Sequence, residues 1–275
     1  MTDQRERLAT HLFFKAALPV MKVVLEDDPV MARRFAGVSG VVQFYARDPE
    51  EPAAAYLKFT NGALEIVVGE AEGPDLTFWF PRIETMNNML RGRPVLPVIL
   101  GLVKPSDLKS PMKLAGRSAK RAILLGKVFS LLMSLKLMMP SARPTEPLKK
   151  WLKVKMAFYM VTTALSQYNK GGDPEMMAWT KKQPDRIYQI TVDPGGIAAY
   201  VRVKGGHTKA GRGTYTRRRP FVHMRFNGVD GALAVLLKDV EFVEGVAKGC
   251  VRIEGSPEYA AQLNDFMQKI QSMLT

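Results

Sequence analysis

The sequence predicts an α+β fold made of two tandem domains, each a mostly antiparallel sheet of about five strands covered by helices on one face. Three observations predict it. The stretch "AAAYLKFTNG" (53–62) returns as "IAAYVRVKGG" (197–206). The segments around the two copies keep one order at a slowly drifting offset, as a duplicated domain with loop insertions would. Each half also passes from apolar residues at three- and four-residue spacing to short β-rich runs cut by turn residues, and then back again.

The echo extends well beyond ten residues. "VVQF" (41–44) faces "IYQI" (187–190), which sets Gln43 against Gln189. Tyr56 faces Tyr200, Gly62 faces Gly206 and Gly69 faces Gly213. Further on, "LTFWF" (76–80) faces "VHMRF" (222–226), and "IETMNNML" (83–90) faces "VDGALAVL" (229–236). Last, "MKLAGRSAKRAILL" (112–125) faces "VRIEGSPEYAAQLN" (251–264). The expected domains are 1–140 and 148–275. The linker, 141–147, lies in the proline-rich "PSARPTEP".

Each element follows from its own pattern. "RERLATHLFFKAALPVMKVVLED" repeats apolar residues at helical spacing, with a kink expected at Pro19. "GVVQFYA", "AAYLKF", "ALEIVVG" and "LTFWFP" read as strands of an antiparallel meander, separated by "DPEEP", "NG" and "EGPD". The "TNG" and "KGG" turns are two-residue hairpin signals, because a type I′ turn needs the positive φ that Asn and Gly tolerate. A short helix (83–90), a strand ending at Gly116 and an amphipathic helix (119–139) complete the first half. In the second, Thr145-Glu146-Pro147 opens a long helix that Gly171 and Gly172 close, and Asp173-Pro174 opens a shorter one. After the matching strands come a helix (229–236), a strand ending at Gly255 and a last helix (257–274). The apolar insertion "RPVLPVILGLVKPSDLKSP" (93–111) has no counterpart and fits either a lid or a strip of subunit interface.

Bulk properties bound the function. A chain of 275 residues, 47% hydrophobic and 24% charged, suits one large domain or two smaller ones. The single cysteine, Cys250, excludes an intrachain disulfide framework and fits a reducing, cytoplasmic setting. The N-terminus mixes Arg5, Glu6 and Arg7, and its apolar run is broken by Lys15, Pro19 and Lys22, unlike an export signal. No stretch offers the roughly 20 uninterrupted apolar residues of a spanning helix. The nearest, 122–139, carries Lys127 and Lys136, so a soluble protein or one resting on a membrane surface is expected.

Net charge is +14 and unevenly spread. Residues 47–75 hold seven acids and two bases, whereas 193–225 hold eight bases and one acid. Drift on solvated faces explains this. So would faces that meet each other, or a basic face (Lys204, Lys209, Arg212, Arg217, Arg218, Arg219) that meets an acidic protein or an anionic membrane.

Catalytic and metal chemistry find little purchase. His11, His207 and His223 lack metal-ligand spacing, and no second cysteine assists them. "GHTKAGRGT" (206–214) mimics a phosphate loop, but it has Arg212-Gly213 where Lys and Ser or Thr are required, and it joins strands rather than feeding a helix. No G-x-S-x-G elbow occurs. Around "TRRRP" (216–220) the aromatics are few, which argues against a stacking platform for nucleic acid. No cofactor is implied.

"GCVRIEGSPEYAAQLNDFMQKIQSML" (249–274) resembles the closing strand and helix of the sterol carrier protein domain. "DGALAVLLKDVEFVEGVAKG" before it resembles that family's helix and loop, and "GALEIVVGEAEGPDLTFWFPRIETMNNMLRGR" (62–93) resembles its central sheet element. The first copy departs through the 93–111 insertion and through Ala115, where the family places an acid. The resemblance implies non-enzymatic binding or transfer of a fatty acyl chain, a sterol or a hopanoid-like lipid in an apolar tunnel between sheet and helices. The family's domains also occur as accessory parts of acetyltransferases and alkylsulfatases, where they need not carry lipid. Expected wall residues are Phe80, Met86, Met89, Leu90, Leu125, Phe129, Leu132 and Met133 in the first copy. In the second they are Phe226, Leu233, Leu236, Phe242, Leu263, Phe266, Met267 and Ile270. Sixteen methionines, many on expected helices, suit an interior that re-packs around varied guests. The competing expectation is an adaptor whose cavity is filled by side chains and whose charged faces recruit a protein partner.

Overall fold

The computed structural model describes residues 3–102 and 111–275, with the backbone alone over 111–117. The chain divides into two compact units. One is Met1–Phe14 with Met21–Lys136, and the other is Lys15–Val20 with Leu137–Thr275.

The first unit opens with α1 (Gln4–Leu12), where the Asp3 carboxylate accepts the amide of Arg5 at 3.1 Å and caps the orphan N–H groups of the first turn. The run continues through a π-helical turn (Phe13–Ala17) and a 3-10 turn (Leu18–Val20) to α2 (Met21–Asp27). Pro19 therefore sits in a change of helix type that absorbs its missing N–H, rather than in a simple kink. By length and composition, Gln4–Asp27 could cross a membrane, but 67% of its apolar window is buried within the protein, as in a core helix. Asp28 then caps α3 (Pro29–Phe35), accepting the Val30 and Met31 amides at 2.9 and 3.3 Å.

Next come β1 (Gly40–Ala46), β2 (Ala53–Thr60), β3 (Ala63–Val68), β4 (Leu76–Phe80), α4 (Ile83–Leu90), β5 (Val98–Leu100) and α5 (Pro111–Ser134). The strand order is β3-β2-β1-β4-β5. The two-residue turn between β2 and β3 forms as expected, with positive φ at Asn61 and Gly62. The meander expectation fails at the fourth strand. β4 pairs parallel to β1, Val42 opposite Leu76, so residues 69–75 must cross back along the sheet. Gln43 anchors the middle of that crossing: its Oε1 accepts the Ala71 amide at 2.7 Å, while the amides of Gly69 and Asp75 bond the Ala54 and Val41 carbonyls at its ends, each at 2.9 Å. The expected strand at "MKLAG" is also corrected. Gly116 lies within α5, and the fifth strand is Val98–Leu100, inside the apolar insertion. Its short "VIL" run pairs with β4, whereas "MKLAGRSAKRAILL" carries its apolar residues at helical spacing. The rest of the insertion's role falls partly on 103–110, outside the described residues.

The second unit repeats this plan. It contains α6 (Pro147–Lys170), α7 (Pro174–Lys181), β6 (Arg186–Asp193), β7 (Ile197–Lys204), β8 (His207–Arg212), β9 (Val222–Asn227), α8 (Gly228–Leu236), α9 (Phe242–Ala247), β10 (Val251–Gly255) and α10 (Pro257–Leu274). Read from the other edge, its order is β8-β7-β6-β9-β10. This matches the first sheet strand for strand, including the parallel pair β6–β9. Gln189 stands where Gln43 does, its Oε1 accepting the Tyr215 amide at 2.9 Å. The fold is thus α+β, two five-stranded mixed sheets each packed with helices. Hydroxyl and amide bonds lock α6 onto the sheet edge: Thr208 Oγ1 donates to the Ser166 carbonyl at 2.9 Å, and Asn169 Nδ2 donates to the Gly206 carbonyl at 2.8 Å.

Candidate functional site

Strand alternation sends Ile190, Met224 and Phe226 to the face of the second sheet that the helices cover. Ile190 stands opposite Met224 in the parallel register, and Phe226 packs against Phe158 of α6 with ring centroids 4.9 Å apart. Above these side chains lies a cavity of about 170 Å³. α6 contributes Lys153, Ala157, Phe158, Met160 and Val161, residues spaced so that they share one side of the helix. α8, α9 and the loop between them contribute Val235, Leu236, Lys238, Val240, Glu241 and Phe242. α10 contributes Asn264, Met267, Gln268, Ile270, Gln271 and Leu274, ahead of Thr275, while Met138 and Pro140 complete the wall. Lys238, Glu241 and Gln268 are exposed, so the cavity meets solvent on their side.

The wall's chemistry is aromatic, aliphatic and thioether, with Met138, Met160, Met224 and Met267 among its residues. Its one deeply buried charge is Lys153, 3% exposed. The Nζ donates to the carbonyls of Leu137 and Met139, each at 2.8 Å. Burial, joined by the positive charge of Arg143, lowers the ammonium's pKa to about 8. Arg143 is itself held by Asp239 through two bonds of 2.9 and 2.7 Å. Lys238 ends α8 in a left-handed conformation, φ 57°, with the Lys238 amide donating to Val235 and that of Asp239 to Ala234, a Schellman closure at a position where glycine is usual.

The expected wall residues distribute unevenly. Phe226, Leu236, Phe242, Met267 and Ile270 line the cavity, whereas Leu233, Leu263 and Phe266 are buried without lining it. In the first unit Phe80 and Met86 are fully buried, and Met89, Leu90, Leu125 and Leu132 are half-buried. Phe129 and Met133, expected to face inward, point to solvent at 54% and 37% exposure. The buried side of α5 consists instead of Leu124, Val128 and Leu131, one step out of phase with the expected set. The α6 contribution to the wall was not foreseen. Its 153, 157, 160, 161 spacing in a stretch already read as helix was the available signal.

Other residues singled out in the sequence lie elsewhere. Lys204, Lys209, Arg212, Arg217, Arg218 and Arg219 are exposed on the β7–β8 hairpin and the crossing that follows it. Arg218 reaches Asp185 at 3.2 Å, which Arg202 also holds at 2.6 Å, and Arg212 stacks over Tyr159 at 4.8 Å. In the acidic segment, Asp48 and Glu50 pair with Arg7 of their own unit. His207 is exposed and His11 half-buried. His223 is buried on β9 with Nε2 2.9 Å from Thr191 Oγ1, and burial first, then Arg225, hold its imidazole below the ordinary value. None of these residues lines the cavity. Among the described residues no group of three His, Cys, Asp or Glu could hold a metal ion.

No family model and no curated protein matches this sequence. Among solved structures, the chain is similar to palmitated SCP2L2 from Aedes aegypti, solved by NMR in solution, at 16% identity. That match covers 39% of this chain and 90% of the other, with a TM-score of 0.29. It is also similar to the crystal structure of sterol carrier protein 2 like 2 from Aedes aegypti at 18% identity, over 41% of this chain and 97% of that one, with a TM-score of 0.28. A stereoselective inverting sec-alkylsulfatase from Pseudomonas sp. matches at 10% identity over 52% of this chain but 28% of its own length, with a TM-score of 0.24.

Proposed function

We propose that this protein binds an apolar, lipid-like molecule without chemical conversion and carries it, with the cavity under α6 as the receptor. The observation that carries the reading is the wall itself: Phe158, Phe226, Ile190, Leu236, Phe242 and four methionines line one space, with Lys238, Glu241, Gln268 and Thr275 as its exposed polar residues. Water gains nothing in such a place, whereas each buried ligand methylene contributes about 0.8 kcal/mol. Ten methylenes would contribute roughly 8 kcal/mol before ordering costs are subtracted. The space of about 170 Å³ is smaller than the roughly 300–1,000 Å³ of typical ligand pockets. A long chain would therefore enter by moving the unbranched methionine side chains aside, which costs them little, or would leave its end in solvent. The resemblance of 249–274 to the sterol carrier domain supports the same reading.

The test is extraction of purified protein with organic solvent and mass spectrometry of the extract, paired with displacement of a fluorescent fatty acid. Co-purifying lipid and competitive displacement are expected. A second reading draws on the exposed Lys204, Lys209, Arg217 and Arg219: an adaptor whose basic face takes an acidic protein partner. A clean extract with no displacement would favour the adaptor and end the carrier reading.

A further inference from the structure

The structure points to a selective subsite within this cavity: we propose that the cavity takes an apolar chain bearing a carboxylate head, and that Lys153 holds the head. This rests on the carrier reading above and narrows it. An ammonium has three N–H donors. Two of those on Lys153 go to the Leu137 and Met139 carbonyls, and the described residues supply no acceptor for the third. They also supply no carboxylate within ion-pair distance of Lys153, although it is 3% exposed.

A buried charge without a counter-ion is a costly arrangement unless something neutralises it. The neighbouring charges do not. Arg143 adds positive potential, and its partner Asp239 is already engaged by two bonds. On the cavity wall Lys238 and Glu241 are both exposed to solvent, so neither stands in for a buried counter-ion. The chemistry that answers a lone ammonium among apolar side chains is a single negative charge on an apolar body. A carboxylate fits, since its oxygens accept the one spare N–H donor and its charge neutralises the ammonium. Binding would then combine transfer of the chain out of water with a charge-assisted hydrogen bond in a dry setting, where such a bond is strongest.

Isothermal titration of the full chain with dodecanoic acid and with dodecanol, at pH 7, tests this. The acid is expected to bind at least about tenfold more tightly than the alcohol, a gap of one decade in Kd. Lys153→Met is expected to erase that gap by weakening the acid relative to the alcohol, both ligands being measured on the same variant, and Lys153→Gln serves if the methionine variant folds poorly. Equal affinities in the wild-type chain, or a preference that survives both variants, would overturn the Lys153 subsite and leave the carrier reading standing. Binding of neither compound would overturn both.

Discussion

Gln43 holds the peptide of Ala71 over the face of its own sheet, at 2.7 Å, and 146 positions later Gln189 does the same for Tyr215 at 2.9 Å. In each unit the third strand must return along the sheet before the fourth can pair in parallel with the first. Main-chain bonds hold the crossing chain at its two ends, and the glutamine side chain holds it between them. Gln189 does more, because its Nε2 also donates to the carbonyls of Ala199 at 2.9 Å and Gly213 at 3.3 Å while the residue is fully buried. Gln189→Leu is therefore expected to cost about 2–4 kcal/mol, since several buried groups lose partners at once. Gln43→Leu is expected to cost about 1–2 kcal/mol. Urea unfolding of both variants checks the order. A Gln189→Leu cost no larger than that of Gln43→Leu would show that the crossing is held by other contacts.

Two glycines in left-handed conformation, one in the β2–β3 turn and one just after β8, offer a second measurement. A side chain at Gly62, φ 87°, would bring its Cβ to 2.8 Å from the Phe35 carbonyl oxygen. At Gly213, φ 84°, the same atom would meet nothing within 4 Å. Gly213→Ala should lose about 1–2 kcal/mol from left-handed backbone alone. Gly62→Ala should lose more, because backbone rather than a pliable side chain stands in the way. Equal melting temperatures for the two variants would contradict this.

Much of the fold was legible because its signals are local. The repeated decamer announced both hairpins through Asn61-Gly62 and Gly205-Gly206, and "IETMNNML" gave α4 its observed limits. The misses share a different cause. Gln43 and Gln189 aligned in the two copies, but their task depends on a peptide 26 to 28 residues away, which no local pattern encodes. "MKLAG" was assigned by analogy with "VRIEG", and helical spacing overrode the analogy. In α5 the chosen apolar set ran one position out of phase, which turned Phe129 and Met133 to solvent. Nothing local in "KKWLKVK" separates Lys153 from the lysines around it. Its burial depends on the Leu137 and Met139 carbonyls beyond the helix start.

The cavity can be closed from one position. Ala157 lines it, half-buried, on the same side of α6 as Lys153 and Val161. Ala157→Phe would place a ring in existing space, so its cost should fall at or below the low end of the roughly 1–3 kcal/mol that overpacking a filled core brings. The ring would also exclude part of any guest. Losing even two buried methylenes, roughly 1.6 kcal/mol, weakens binding about tenfold. Fluorescent fatty-acid binding and a thermal melt on the same sample separate the two effects. Undiminished binding by a stable Ala157→Phe protein would move the ligand site elsewhere.

Lys153 also ties stability to pH, and the sign follows from its lowered pKa. In the folded protein the ammonium releases its proton near pH 8. In the unfolded chain a lysine holds its proton to about 10.4. Between those values the unfolded state binds more protons, so stability rises with pH across that window and is lowest, for this group, below pH 8. The gain is bounded by about 1.36 kcal/mol per pH unit, or on the order of 2 kcal/mol by pH 9.5. Burial also pushes the Tyr188 phenol up, which acts in the opposite sense as pH passes 10, but Tyr188 is common to both proteins being compared. The melting temperature of wild-type protein minus that of Lys153→Met should therefore climb between pH 7 and pH 9.5. Saturating dodecanoic acid should flatten the climb, because a bound carboxylate favours the charged lysine and restores the pKa that burial took away. A difference that is flat without ligand would mean that the lysine is solvated in the folded protein, and its role as a buried, uncompensated cation would fall with it.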